Sequence, residues 1–168
     1  MSGMSADEQP GARAAPDRLD IALAHVVPDR LLLMLVNIVN DAGELEIGIT
    51  LDVSGVIVSG LLISAQRYFE LLNEAVQTAG SPESAGLREA LGDAFTGMAE
   101  SYRAEEFTVE TEAEQVALEL VLTSYIHLRN AEVHAPGGPG HLAPALWRGR
   151  LSQVSGWSLG ALGSRPGP

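Results

Sequence analysis

Apolar and polar residues alternate strictly from Leu45 to Val53. Leu45, Ile47, Ile49, Leu51 and Val53 fall on one side of an extended chain, with Glu46, Gly48, Thr50 and Asp52 on the other. A period of two predicts a half-buried strand with one core face and one wet face. Ser54 and Gly55 suit the positive φ angles of a two-residue hairpin turn, which would pair Val53 with Val56 and start a second strand through Val58 to Ile63. Ser64 then caps a helix from Ala65 to about Thr78, whose Tyr68, Phe69, Leu72, Ala75 and Val76 share one side. The same turn chemistry recurs at Ser155-Gly156, between Leu146–Val154 and Trp157–Leu162, and predicts a second hairpin.

Upstream, Pro28 suits a first helical turn and Asp29 the positive helix end, while Leu31, Leu32, Leu35, Val36 and Val39 form a wide apolar stripe that Gly43 stops. A third helix is predicted from Ser81-Pro82-Glu83, carrying Leu87, Leu91, Phe95, Met98 and Tyr102. Gly86, Gly92 and Gly97 each weaken it by roughly 1 kcal/mol relative to alanine. Glu105 to Glu114 shows no period. Alternation begins again at Val116, runs through Leu118, Leu120 and Leu122, and resumes at Ile126 and Leu128, which predicts one long strand. At Asn130 the apolar phase shifts to Ala131 and Val133, as a bulge would require, and asparagine tolerates the left-handed conformation involved. The loop Pro136 to His141 ends that strand.

These elements predict an α+β fold: an antiparallel, strongly curved sheet of about five strands, a leading helix, and an acidic helical insertion at about 80–115. Residues 1–18 and 163–168 carry little to bury and read as disordered tails around a single domain at 19–162.

Charge and composition narrow the function. The net charge is −12 over 168 residues. Glu70 to Glu119 holds twelve acids against Arg88 and Arg103, so the remainder of the chain is nearly neutral. Nucleic-acid phosphates and anionic membrane surfaces both need a basic footprint that this balance does not offer. Residues 1–18 lack the basic start and apolar centre of a signal peptide, and Leu31 to Val39 covers about half of a bilayer span, so the expected location is cytoplasmic. The absence of cysteine excludes disulfides and thiol chemistry; every one of the ten cations is arginine.

Candidate chemistry is sparse. His127, His134 and His141 recur every seven residues across a bend and a loop, without a fixed spacing or a fourth ligand, so no metal site is assigned and His127 reads as structural. Gly137-Gly138-Pro139-Gly140 lacks the lysine and helix start of a phosphate loop. Ser54, Ser64, Ser81 and Ser155 each have a turn or capping task, and the glutamates read as a solvated face, so no catalytic residue, cofactor or enzymatic activity is expected. Trp147, Arg148, Arg150 and Trp157 stand out. Two tryptophans flanking two forked cations are a composition favoured in protein–protein contacts, and the acidic segment of a neighbouring copy would suit Arg148 and Arg150. Core packing is the plainer role for both tryptophans. Ser54, Gly55, Asn130, Ser155 and Gly156 are assigned as turn and backbone positions.

Taken in order, the Ser54-Gly55 turn, the strand ending Ile63-Ser64-Ala65 with Tyr68-Phe69 behind it, Ile126-His127-Leu128-Arg129-Asn130, and Trp147-Arg148-Gly149-Arg150 before the Ser155-Gly156 turn resemble the gas vesicle accessory protein U family. The resemblance covers roughly residues 30 to 162, with no matching motif at about 80–115. It implies a non-enzymatic protein associated with gas vesicles and concerned with their assembly, arrangement or clustering. Its implied partners are the vesicle shell or other accessory proteins. The strand element Leu128 to Val133 is also similar to Sm-like barrels, which assemble into rings, although RNA binding does not suit this charge. Edge strands left open would favour pairing between copies, so a homo-oligomer is expected. A cytosolic adaptor or chaperone-like binding module unrelated to vesicles is the alternative.

Overall fold

The computed structural model describes residues 28–79, 85–103, 123–137 and 141–162. The predicted tails, the helix start at Ser81 to Glu83, the glutamate-rich stretch from Glu105 and the alternation at Val116 to Leu122 lie outside the described residues. Helix α1 spans Arg30–Ala42, β1 Ile47–Val53 and β2 Val56–Ile63; α2 is Ala65–Thr78 and α3 Ala85–Arg103. Strand β3 is Tyr125–His134, followed by β4, His141–Leu142, β5, Leu146–Arg150, and, after a 3-10 turn at Leu151–Gln153, β6, Val154–Leu159. Thr123 lies in a turn, so β3 starts later than the alternation from Val116 implied.

Local chemistry sets the helix ends. Asp29 Oδ1 accepts from the Leu31 and Leu32 amides at 2.9 Å, so Asp29 is the N-cap and Pro28 sits outside the first turn. Gly43, at φ 67°, closes α1 in a backbone conformation glycine adopts freely. Ser64 Oγ accepts from the Arg67 amide and donates to Gly43 O, and Asn40 Oδ1 accepts from the Ala65 amide. The end of α1 is thereby tied to the start of α2.

The α+β architecture is one antiparallel sheet in the order β4-β3-β2-β1-β6, with β5 beside β4 on the same edge of β3. Six strands therefore occupy five positions. No ladder joins β5 to β6, so the sheet is open and not a closed Sm/SH3-like barrel. Strong curvature is likewise not part of it. Only Leu151–Gln153 carry the chain between the two edges, at most about 15 Å, against roughly 19 Å across a flat sheet of five positions, so the sheet is bent without closing.

The Ser54-Gly55 turn forms as expected, with φ 54° and 86°, and Val53 pairs with Val56. The second hairpin does not form. Ser155 and Gly156 lie inside β6, which pairs with β1: Asp52 faces Gly156 and Val53 faces Val154, leaving Ser155 as the extra residue of a bulge. Its hydroxyl donates to the Asp52 carboxylate at 2.8 Å. Instead of reversing, the chain passes at the 3-10 turn from one edge of the sheet to the other, where Leu151 is fully buried in the core.

One sheet face packs on α1. Leu32, Val36 and Val39 meet Ile49, Leu51, Val58, Leu62, Ile126, Leu128, Ala131 and Leu151, with Trp147 and Trp157 at the border. The opposite face is not simply wet. At one end α2 and α3 cover it, with Tyr68, Phe69 and Ala99 clustered on Ile63 of β2. At the other, the chain after β6 crosses it: Thr50 Oγ1 donates to Gly160 O, and the Leu162 amide donates to the buried Ser59 Oγ. Gly48 makes room, since a Cβ there would lie 3.0 Å from Ala161 N.

Asn130 carries the predicted bulge, at φ 49°. Register with β2 shifts between Ser59 and Leu61, so Gly60 lies opposite two residues, and a Cβ on Gly60 would come 3.0 Å from Arg129 O. A β-branched residue in left-handed backbone costs about 1–2 kcal/mol. Asn130→Val should therefore lower the melting temperature by about 2–8 °C, with Asn130→Gly close to the parent. Thermal unfolding of the two variants checks this; equal melting would exclude a strained site.

Candidate functional site

Pairing of β3 with β5 decides which side chains meet. Tyr125 lies opposite Arg150 and His127 opposite Arg148, while Leu128 faces Trp147 and Ile126 faces Gly149. Alternation then places Tyr125, His127, Arg148 and Arg150 on one face and Trp147 with Gly149 on the other. The Trp147 ring lies over Gly149, where an added Cβ would come within 2.1 Å of it. Trp-Arg-Gly-Arg thus has a physical reading: the glycine is the floor for the indole, and the arginines point away from both.

The four residues expected to form one contact surface are therefore divided. Trp147 and Trp157 are half-buried against the α1 side of the sheet. Arg148 and Arg150 lie opposite. The Arg148 guanidinium stacks 3.5 Å from the Tyr125 ring centroid and 5.8 Å from that of Phe69; Arg150 is 5.6 Å from Tyr125. Such stacking holds a cation in place without neutralising it.

His127 anchors this face from below. It is 2% exposed, 4.7 Å from the Tyr68 ring and 6.0 Å from the Phe69 ring, so it is buried in a structural role. Arg148 Nε donates to His127 Nε2 at 3.2 Å. A guanidinium only donates, so Nε2 holds a lone pair and the ring is neutral. Burial, and after it the adjacent Arg148 charge, push its pKa down to about 3. Burial also raises the Tyr68 pKa, against an opposing pull from Arg148. Phe69 in turn stacks on Phe95 and Tyr102 of α3. Phe95 is thus an internal contact, while Met98 is 46% exposed. Gly92 allows the helices to approach, since a Cβ there would meet Gln77 Nε2 at 2.6 Å.

Sequence periodicity missed this aromatic lid, because the period of α2 shows an apolar side without showing what it covers. It also missed Thr50 and Ser59, whose cross-strand pairing places two hydroxyls 3.1 Å apart on the second face. Ser54 and Gly55 lie in the turn between β1 and β2, and Ser155 and Gly156 on β6, away from Arg148 and Arg150 in the strand order.

Other features offer less. His134 lies 3.4 Å from Glu132, the His141 side chain is outside the described residues, and no cluster of three metal-ligating side chains occurs among the described residues. A cleft of about 460 Å³ between α2 and the α1–β1 connection is lined by Glu44, Glu46, Arg67 and Glu70. Two of its three acids are engaged, Glu46 with Arg129 and Glu70 with Arg67 and Gln66. No helix among the described residues is long and apolar enough to cross a membrane.

The depressed His127 pKa has a measurable sign. Below about pH 6.5 the unfolded chain binds a proton at this ring that the folded chain does not bind until about pH 3. Its contribution to stability is complete above pH 6.5 and is lost as pH falls through that window, at up to about 1.4 kcal/mol per pH unit. Urea unfolding between pH 6 and 4 should show a steeper loss for the parent than for His127→Gln. Parallel curves would mean that His127 titrates normally.

Comparison with known proteins gives one family. The profile described as gas vesicle protein GvpU-like matches residues 29–162, most of the chain and every element above. No curated protein and no solved structure matches. The chain belongs to the GvpU-like family of gas vesicle proteins.

Proposed function

We propose that this chain is a non-catalytic accessory protein that binds gas vesicles in the cytoplasm and influences their arrangement or clustering through weak contacts between copies. The observation that carries the reading is the cationic face on β3 and β5. In a chain of net charge −12, Arg148 and Arg150 are held side by side over Tyr125, exposed and ordered by stacking. The acids Glu89, Asp93 and Glu100 line α3 and are exposed. A neighbour's α3 meeting this arginine pair makes a head-to-tail contact, with Trp147 and Trp157 bordering the opposite side of the same sheet. Each such contact is weak, and multivalency multiplies it when many copies sit on one vesicle.

Co-flotation tests the reading. Purified protein is added to buoyant vesicles, and the floating fraction is measured as salt rises and the screening length shrinks from about 30 Å at 10 mM to about 3 Å at 1 M. The expected outcome is flotation at low salt that falls with salt. Protein that stays below throughout would reject direct binding. Arg150→Glu, and Arg148→Glu with it, should weaken association between copies about tenfold; unchanged oligomer size in the double variant would exclude the arginine contact. Arg150→Glu alone leaves the His127 bond intact and guards against a mere folding defect.

A further inference from the structure

Helix α1 is apolar beyond the face that packs on the sheet. Its two asparagines turn to bonded partners within the fold: Asn37 Oδ1 accepts from Thr123 Oγ1 at 2.6 Å, and Asn40 Oδ1 from the Ala65 amide at 2.9 Å. Its outward side instead holds Leu31, Met34 and Ile38, at 61, 54 and 46% exposure. A helix that is apolar on both sides is normally covered on both. At 3.6 residues per turn, Arg30, Leu31, Met34, Ile38 and Asp41 share an arc of roughly 100°. Arg30 and Asp41 are exposed and form no ion pair among the described residues.

The two charges stand at the wrong ends for their own helix. Arg30 is in the first turn, where the helix dipole is positive, and Asp41 in the last, where it is negative; α1 has no acid in its first turn and no base in its last. An antiparallel copy reverses both relations. It brings each arginine to the negative end and the aspartate of the other helix, while the apolar centres meet. A parallel neighbour would juxtapose like charges.

We propose that α1 is the seam of a two-fold dimer of this chain, with Leu31, Met34 and Ile38 packed antiparallel on their copies and Arg30 of each copy facing Asp41 of the other. The patch is self-complementary under a two-fold axis, which is what an isologous interface requires. Three apolar side chains per copy make a contact well below the standard size of about 1,600 Å², so the dimer is weak, in the micromolar range. The seam deepens the self-association of the proposed function and rests on that reading only for its consequence at vesicles.

Sedimentation of the full chain from about 1 to 300 µM should show the mass rising from one chain toward two. Arg30→Glu or Asp41→Arg alone should raise the dissociation constant at least threefold, and the two together should restore it. Met34→Glu should abolish the dimer while leaving the melting temperature near the parent, because that side chain points outward. A single mass at every concentration, or single reversals that associate as well as the parent, would overturn the seam. An intact dimer that fails to float with vesicles would reject the vesicle reading and leave the seam standing; a floating monomer would do the opposite.

Discussion

The left-handed residue Asn130 is the constraint on which the sheet depends. A regular strand from Tyr125 to His134 would place Ile126 and Leu128 on one face and Ala131 and Val133 on the other. The bulge reverses that, and all four join the core on the α1 side of the sheet. It acts on both sides of β3. Toward β2 it requires Gly60, since any Cβ would press on the backbone of Arg129 and Ala131. Toward the edge it hands the Asn130 and Ala131 amides to Ala145 O and Pro144 O, in the gap that separates β4 from β5. The same geometry places His127 and Arg129 on the second face, where His127 becomes the buried base of the arginine stack.

How much of this was legible in the sequence depended on whether local chemistry or distant packing decided the outcome. Asp29, Gly43, the Ser54-Gly55 turn, Ser64 and the phase shift at Asn130 read correctly, because each acts within four residues of itself. Ser155-Gly156 offered the same turn chemistry as Ser54-Gly55 and was bound differently. The 3-10 turn at the buried Leu151 carried the chain from β5 to the far edge of the sheet, and the Asp52 carboxylate captured the Ser155 hydroxyl in a bulge. The Asp52 pKa is lowered by that arrangement, through the Gly55 amide first and the Ser155 hydroxyl second. No periodicity in residues 150 to 160 encodes a carboxylate a hundred residues away.

The candidate site was legible by composition and not by arrangement. Trp147, Arg148 and Arg150 stood out as residue types, but their separation onto two faces follows from the alternation of β5 and its register with β3. Alternation was available from the sequence; the partner strand was not. The arginines owe their order to Tyr125, Phe69 and His127, which come from two other elements and meet only through the fold.

These placements bear on how a small acidic chain could connect large particles. The α1 helix covers the tryptophan face of the sheet, while Arg148 and Arg150 lie on the opposite face. A dimer formed through α1 would therefore turn both arginine faces away from its own axis. Each dimer would then offer two cationic contacts directed outward, together with two acidic α3 helices able to receive the same contact from a neighbour. Neither interaction would need to be strong. A weak apolar seam would set the valency at two and a salt-sensitive charge contact the reach, so association would stay reversible in solution and would grow where copies are concentrated on a common surface. Like net charge opposes unregulated aggregation of the free protein, and in this reading the arginine pair would be the local exception that lets approach occur in one orientation.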